Sequence, residues 1–289
     1  MLYERVLSRR KMFEGVFNVV RGTNNGDAIL NAIETAPKMI ISDVAEYANK
    51  FSDGGPTVAD IPCPRAPFKV VWMEYGDNGV LLYAETLEDD VADQLAIQMS
   101  SRPSILVNAY PFYIHDVENG ETEYMGGDIY YAALDARGEI IADSGKEYII
   151  CDPDWEALSA RFGVSELWKA IQYRNVVTAL LACSFANCKN VNLVQRTASK
   201  QRSRRSPKVK HYKYYVLDIH PMRKIISDNE RSTGDHSFRT AMHLCRGHFK
   251  DYRESGLFGK NKGIYWWDAQ VRGNAENGVI EKDYQIHTN

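Results

Sequence analysis

Between residues 68 and 150 the chain breaks into short runs of β-branched and aromatic residues, and this pattern limits the fold more than any other feature. The runs predict strands over Phe68–Tyr75, Gly79–Glu85, Ile105–His115, Asp128–Leu134 and Glu139–Ala142, because such side chains fill a pleated, half-buried surface. Gly-Asp-Asn-Gly at 76–79 and Asp-Ala-Arg-Gly at 135–138 join neighbouring runs. Both supply residues that tolerate positive φ, as tight hairpins demand, so the sheet is expected to be antiparallel. Leu87, Val91, Leu95 and Met99 recur every fourth position and predict a helix over 88–99 inside this region.

The flanks read as helical. Val6, Phe13, Val16, Phe17 and Val20 share one face of a helix over 2–20. A second stretch over 26–50 starts at Asp27 and is divided by Pro37. Residues 51–67 form a loop, since Pro62, Pro64 and Pro67 remove backbone donors. Asp152-Pro153-Asp154-Trp155 carries an acidic cap and an early proline, which predicts a helix over 153–162. Ser165-Glu166 opens another helix to about 188, apolar along Leu167, Ile171, Val176, Val177, Leu180 and Leu181. Short strands are expected at 211–219, 242–250, 263–271 and 279–286. The fold class is therefore α+β, with N-terminal helices and an antiparallel sheet, a central helical segment, and a small C-terminal β-rich module. A chain of 289 residues is long for one core, so two domains are expected. They are an acidic α+β domain over 1–195 (helices 1–50, sheet 68–150, helices 153–188) and a basic β-rich module over 211–289, joined by a basic linker at 196–210.

Charge supports that division. Residues 196–289 hold 19 Lys/Arg against 10 Asp/Glu, while residues 1–195 hold 16 against 28, so the net −3 conceals two opposed halves. Arg196, Lys200, Arg202, Arg204, Arg205, Lys208, Lys210 and Lys213 fall within 196–215, where there is no acid. With 44% apolar and 25% charged residues the composition argues against wholesale disorder. Five scattered cysteines argue against a disulfide scaffold and fit a reducing interior. The first ten residues mix charge into the apolar positions, and no apolar run approaches the ~20 residues of a membrane span. A cytoplasmic protein that makes no membrane contact is the expectation.

Candidate chemistry concentrates in the basic third. If 243–250 is extended, Leu244, Arg246, His248 and Lys250 fall on one face, with His243, Cys245 and Gly247 opposite. An imidazole beside fixed cations can exchange a proton with a ribose hydroxyl while the cations stabilise the phosphorane, as metal-independent RNA cleavage requires. Arg246, His248 and Lys250 are thus the catalytic candidates, with phosphate binding or plain structure as the competing reading. His243, Cys245 and His248 lack the paired spacing of a zinc site, so neither a metal nor a cofactor is expected. Gly256–Gly263 has the glycine and lysine content of a phosphate-cradling loop, with Lys260 and Lys262 as donors. Glu254 and Asn261 depart from a Walker loop, and a hairpin turn is the simpler reading. Trp266 offers a base-stacking platform, and Arg202, Arg204, Arg205, Lys208 and Arg272 offer phosphate contacts. Glu74, Glu85, Asp128 and Asp135 lie on or beside strands without a spacing that ties them into an acidic metal site.

The order basic stretch, Tyr214-Tyr215-Val216-Leu217, His243-x-x-Arg246-Gly247-His248, Tyr265-Trp266-Trp267, Val271-Arg272-Gly273, Lys282-Asp283-Tyr284 resembles the C-terminal part of uncharacterised proteins encoded by bacteriophages and prophages. Phe68 to Tyr75 is similar to a stretch near the front of such proteins, and Cys245 stands where that pattern has a second arginine. The resemblance implies a phage context in the host cytoplasm and no particular activity. Two function classes follow. One is nucleic-acid binding, to RNA or single strands, with a ribonuclease-like extension. The other is a non-enzymatic protein that binds and inhibits a host protein such as a defence component. A virion component is a third.

Overall fold

The computed structural model describes residues 1–14, 26–50, 56–116, 122–126, 129–142, 149–151, 166–203, 206–222, 241–272 and 274–280. The chain is an α+β protein. Its helices are α1 (Leu2–Ser8), α2 (Gly26–Thr35), α3 (Ser42–Ala48), α4 (Asp89–Ala96) and α5 (Glu166–Ala186), with a further helical turn over 10–14. Its strands are β1 (Lys38–Ile40), β2 (Val70–Tyr75), β3 (Asn78–Thr86), β4 (Ile105–Asp116), β5 (Thr122–Gly126), β6 (Tyr130–Leu134), β7 (Ile140–Ile141), β8 (Ile150–Cys151), β9 (Val191–Ser203), β10 (Ser206–Ile219), β11 (Ala241–Cys245), β12 (His248–Asp251), β13 (Ile264–Trp267), β14 (Gln270–Arg272) and β15 (Asn274–Ile280). The helix expected over 153–162 lies outside the described residues.

The main sheet runs β7-β6-β4-β3-β2-β1-β10-β9, with β5 on β4 and β8 on β6. From β2 to β8 every pairing is antiparallel, and both expected hairpins close at their glycines, with Gly76 at φ +52° and Gly138 at φ +88°. The parallel joints are at β1, which pairs with β2 on one side and β10 on the other. Pro37 does divide the helical stretch, but the break also contains this strand. Three residues, Lys-Met-Ile, show no periodicity of their own, so tertiary pairing rather than local pattern makes them a strand. The pairing is fixed at its ends, where Trp72 N–H donates to Pro37 O at 2.9 Å and Ile41 N–H donates to Glu74 O at 3.1 Å.

Alternation along β2, β3 and β4 divides the core into two layers. Trp72, Leu81, Phe112 and Ile114 face α1, α2 and Phe13, and the Phe13 ring meets Phe112 edge-on at 5.5 Å. The opposite face carries Val71, Met73, Val80 and Leu82 toward α5, whose residues Val176 to Phe185 are almost wholly buried. That side also encloses a polar chain, in which the Tyr75 hydroxyl donates to Asn175 Oδ1 at 2.6 Å and Asn175 Nδ2 donates to Asn78 Oδ1 at 3.0 Å.

Glu74 ties the first face together. Its carboxylate is 5% exposed and accepts from Leu2 N–H at 3.2 Å, Tyr3 N–H at 3.0 Å and the Trp72 indole at 2.7 Å. It thus takes up two of the amides that a helix start leaves unpaired. Lys38, also buried, donates to Glu34 O at 2.8 Å and Ala36 O at 2.6 Å, with its ammonium 4.9 Å from the centre of the Tyr3 ring. Burial pulls the Lys38 ammonium down to about 8, against the pull of Glu74 and Glu34. Burial likewise pushes the Tyr3 phenol up to about 12, helped by Glu4, Glu74 and Tyr212.

Glu74→Ala leaves three donors without their acceptor, each worth about 1–3 kcal/mol when buried and unpaired. The expected loss in guanidinium unfolding is roughly 3 kcal/mol or more, with Glu74→Gln intermediate because one acceptor oxygen survives.

Candidate nucleic-acid interface

Two compact units divide the chain: residues 1–51, 55–187 and 193–217 form one, and 52–54, 188–192 and 218–289 the other. The basic stretch from 196 to 213 belongs to the first. Where a linker is expected, its described residues form the long strands β9 and β10, and the alternating β-branched and aromatic positions of 206–219 account for it. Arg204 and Arg205 lie outside the described residues.

Side-chain bonds set the register of this ribbon. Gln195 Nε2 donates to the Tyr215 hydroxyl at 3.0 Å, and Ser199 Oγ pairs with His211 Nδ1 at 3.0 Å. Four residues up β9 match four residues down β10, so the two strands run antiparallel and like parities share a side. The odd side is apolar at its base, with Val191 and Leu217 buried, and polar further along, with Thr197, Ser199, His211 and Lys213. The even side takes exposed Arg196, half-buried Ala198, Tyr212 and Tyr214, and the register positions of Lys200, Arg202, Lys208 and Lys210. Five basic positions of the stretch therefore share their strand parity with two tyrosines. Register through β1 puts the even positions of β10 on the sheet face of Trp72 and Glu74, against which α1 packs. Because β1 pairs with β10 at Tyr215 and Val216, the basic part runs past that joint.

The second unit carries the other expected residues. The run 242–250 is not one strand: β11 ends at Cys245, and β12 begins at His248 in a different sheet. Gly247 marks the break because a methyl group there would lie 2.6 Å from the Trp266 ring. β12 pairs with β13 so that His248 faces Trp267, Phe249 faces Trp266 and Lys250 faces Tyr265. His248, Lys250, Tyr265 and Trp267 thus share one side, where the Lys250 ammonium sits 4.2 Å above the centre of the Trp267 ring. Arg246 is exposed but lies before the strand, outside its alternation. His248 Nδ1 lies 2.9 Å from Arg246 O; since a carbonyl only accepts, Nδ1 bears the proton, and the neutral ring has its lone pair on Nε2.

Trp266 is 6% exposed and packs edge-on against Phe249 at 4.8 Å, so it fills the core of this unit and offers no stacking surface. Partly exposed Trp267 has the place expected for it. Lys260 and Lys262 are exposed in the β12–β13 loop, and Arg272 stands opposite His243 in the β14-β11-β15 sheet.

One side chain holds the frame of these strands. Asn190 Nδ2 donates to Trp266 O at 2.8 Å and His220 O at 2.7 Å, and Asn190 Oδ1 accepts from Trp266 N–H at 2.9 Å. The Asn190 carbonyl also accepts from His220 N–H at 2.9 Å.

The sequence reading did not single out the Arg5–Asp77–His115 group. Asp77 accepts from Arg5 Nη1 at 2.8 Å and pairs with His115 Nδ1 at 2.7 Å. Partial burial would raise the Asp77 carboxyl, but hydrogen bonds from His115 and Arg5 outweigh it and hold it below the usual range. These residues lie 72 and 38 positions apart, so only the hairpin turn and β4 bring them together. Among the described residues, no three His, Cys, Asp or Glu side chains gather as a metal would need, and no helix is long and apolar enough to cross a membrane. Burial pushes the Cys183 thiol far up, so that cysteine is chemically inert. Comparisons with protein-family models, curated proteins and solved structures return no match.

Asn190→Ala removes three side-chain bonds and leaves the buried Trp266 N–H unpaired, at a cost of roughly 2–3 kcal/mol. Amide exchange at Trp266 and His220 is expected to accelerate at least tenfold, while the amides of β3 and β4 stay protected.

Proposed function

We propose that this chain binds nucleic acid, with RNA or single strands as the favoured form. One observation carries the reading: the acid-free basic stretch forms two neighbouring strands, and along its sequence Arg196, Lys200, Arg202, Lys208 and Lys210 share the even positions with Tyr212 and Tyr214. A solvated tether has no reason to sort its cations by parity. A surface that meets a regularly charged polymer does, because cations in register neutralise successive phosphates while phenol rings stack on exposed bases.

The β12–β13 hairpin supports the same reading with a smaller surface, in which His248 and Lys250 share a side with Tyr265 and Trp267. Binding is favoured there over cleavage. A ribonuclease-like step needs a second proton-transfer group beside His248, and the neighbouring Lys250 is engaged by the Trp267 ring. The resemblance to phage-encoded proteins fits a protein that handles nucleic acid in a host cell.

The test is retention of labelled RNA, single-stranded DNA and duplex DNA by the full chain across a salt series. Five phosphate contacts predict a slope of log affinity on log salt of roughly −3.5 for single strands, at about −0.7 for each contact. Salt-insensitive binding, or none at low ionic strength, would overturn the reading. A stoichiometric host protein co-purifying without nucleic acid would favour the inhibitor class instead.

A further inference from the structure

The loop from Tyr252 to Gly263 presents one aromatic ring to solvent by a specific construction. Tyr252 N–H donates to Gly263 O at 2.8 Å, which extends the β12–β13 ladder into the loop. Leu257 and Asn261 then exchange both backbone bonds, at 2.8 and 3.1 Å, and close a tight turn around residues 258–260. Within it Leu257 is buried, while the next residue, Phe258, is 81% exposed. Phe258 also has φ +54°, between Gly256 at +70° and Gly259 at +73°. The glycines occupy the left-handed region without strain; a phenylalanine there is a steric outlier. The loop therefore holds a large apolar ring in water and in a backbone conformation that glycine would adopt more easily. Two unfavourable features at one residue, in a turn otherwise closed by good hydrogen bonds, point to a role outside the fold.

The surroundings identify the occupant. Exposed Lys260 and Lys262 follow directly, and residues 246–262 hold five Lys/Arg against two Asp/Glu. The strands that lead to the loop carry Lys250 on Trp267 and Tyr252 against Tyr265, so rings and cations interleave along the whole hairpin. That sequence of platforms and charges suits a strand of unpaired nucleotides, whose bases stack and whose phosphates need cations. A duplex keeps its bases stacked on one another and has no face to give such a ring.

We infer that Phe258 is a base-stacking finger, supported by Lys260 and Lys262, that makes the hairpin selective for unpaired nucleotides over duplex. The inference rests on the nucleic-acid reading and names the form bound. The test compares the wild-type chain with Phe258→Gly, Phe258→Leu and Phe258→Trp, by fluorescence anisotropy of a labelled oligouridylate and of its duplex with oligoadenylate. Phe258→Gly is expected to weaken single-strand binding about tenfold, as loss of one stacked base implies, and to leave duplex binding and the salt slope unchanged. Its thermal stability should equal or exceed wild type, because the strain is relieved, and this separates lost binding from misfolding. Phe258→Trp should bind as tightly as wild type, and Phe258→Leu should behave like the glycine variant. Three results overturn the inference: Phe258→Gly binding single strands as wild type does; Phe258→Leu binding fully, which would mark insertion into an apolar protein pocket or lipid; or equal losses on strand and duplex. If wild type itself retains neither form, the nucleic-acid reading fails, and the inference fails with it.

Discussion

A three-residue strand decides where the basic ribbon stands. β1 sits between β2 and β10, with Met39 fully buried between Met73 and Tyr215, and within the sheet path it is what joins the ribbon to the antiparallel strands. Its position is set by groups packed around it. Lys38 is held by the carbonyls of Glu34, in the last turn of α2, and Ala36, just after it, and Glu74, on the neighbouring strand, receives the start of α1 and the indole of Trp72. Two buried charges of opposite sign therefore stabilise the strand on which the ribbon is built. Buried charges are tolerated when each is hydrogen-bonded, and here each is.

That arrangement converts a run of like charge into a surface. In an unstructured tether eight cations repel one another and average over all directions. Pairing β9 with β10 gives each described strand position a parity instead, and under the proposed function the basic even positions act together. The apolar base of the odd side, Val191 and Leu217, is buried, and the even side of β10 continues the sheet face of Trp72 and Glu74, on which α1 packs. The same logic applies on a smaller scale in the second unit. Trp266 and Phe249 fill the core, and alternation delivers Trp267, Tyr265, Lys250 and His248 to the other side.

The antiparallel strands were legible in the sequence because β-branched runs and positive-φ turns are local signals; observed and expected bounds of β2, β3 and β4 differ by at most two residues. β1 was not, since three residues have no period and gain their bonds only from partners far along the chain. The basic stretch was misread because its charge density outweighed a pattern also present: Arg196, Lys200, Arg202, Lys208 and Lys210 all occupy even positions, the period of a strand. The break at Arg246-Gly247 depends on the distant Trp266 ring, and no spacing near 247 announces it. Between Trp266 and Trp267 alternation assigns opposite sides, but only the packed core tells which one is buried. Phe258 was hidden in a segment whose glycines read as an ordinary turn.

The proposal holds that cation placement, and not net charge, makes the ribbon an interface. It is tested by two variants with the same change in charge. Lys200→Gln with Lys210→Gln alters the even side, and Thr197→Glu with Gln201→Glu alters the odd side. Affinity for labelled single-stranded RNA should fall on the order of tenfold in the first and much less in the second, with the salt slope flattening in the first alone. Equal losses in both would mean that the stretch acts as a charged tether, and would contradict the account.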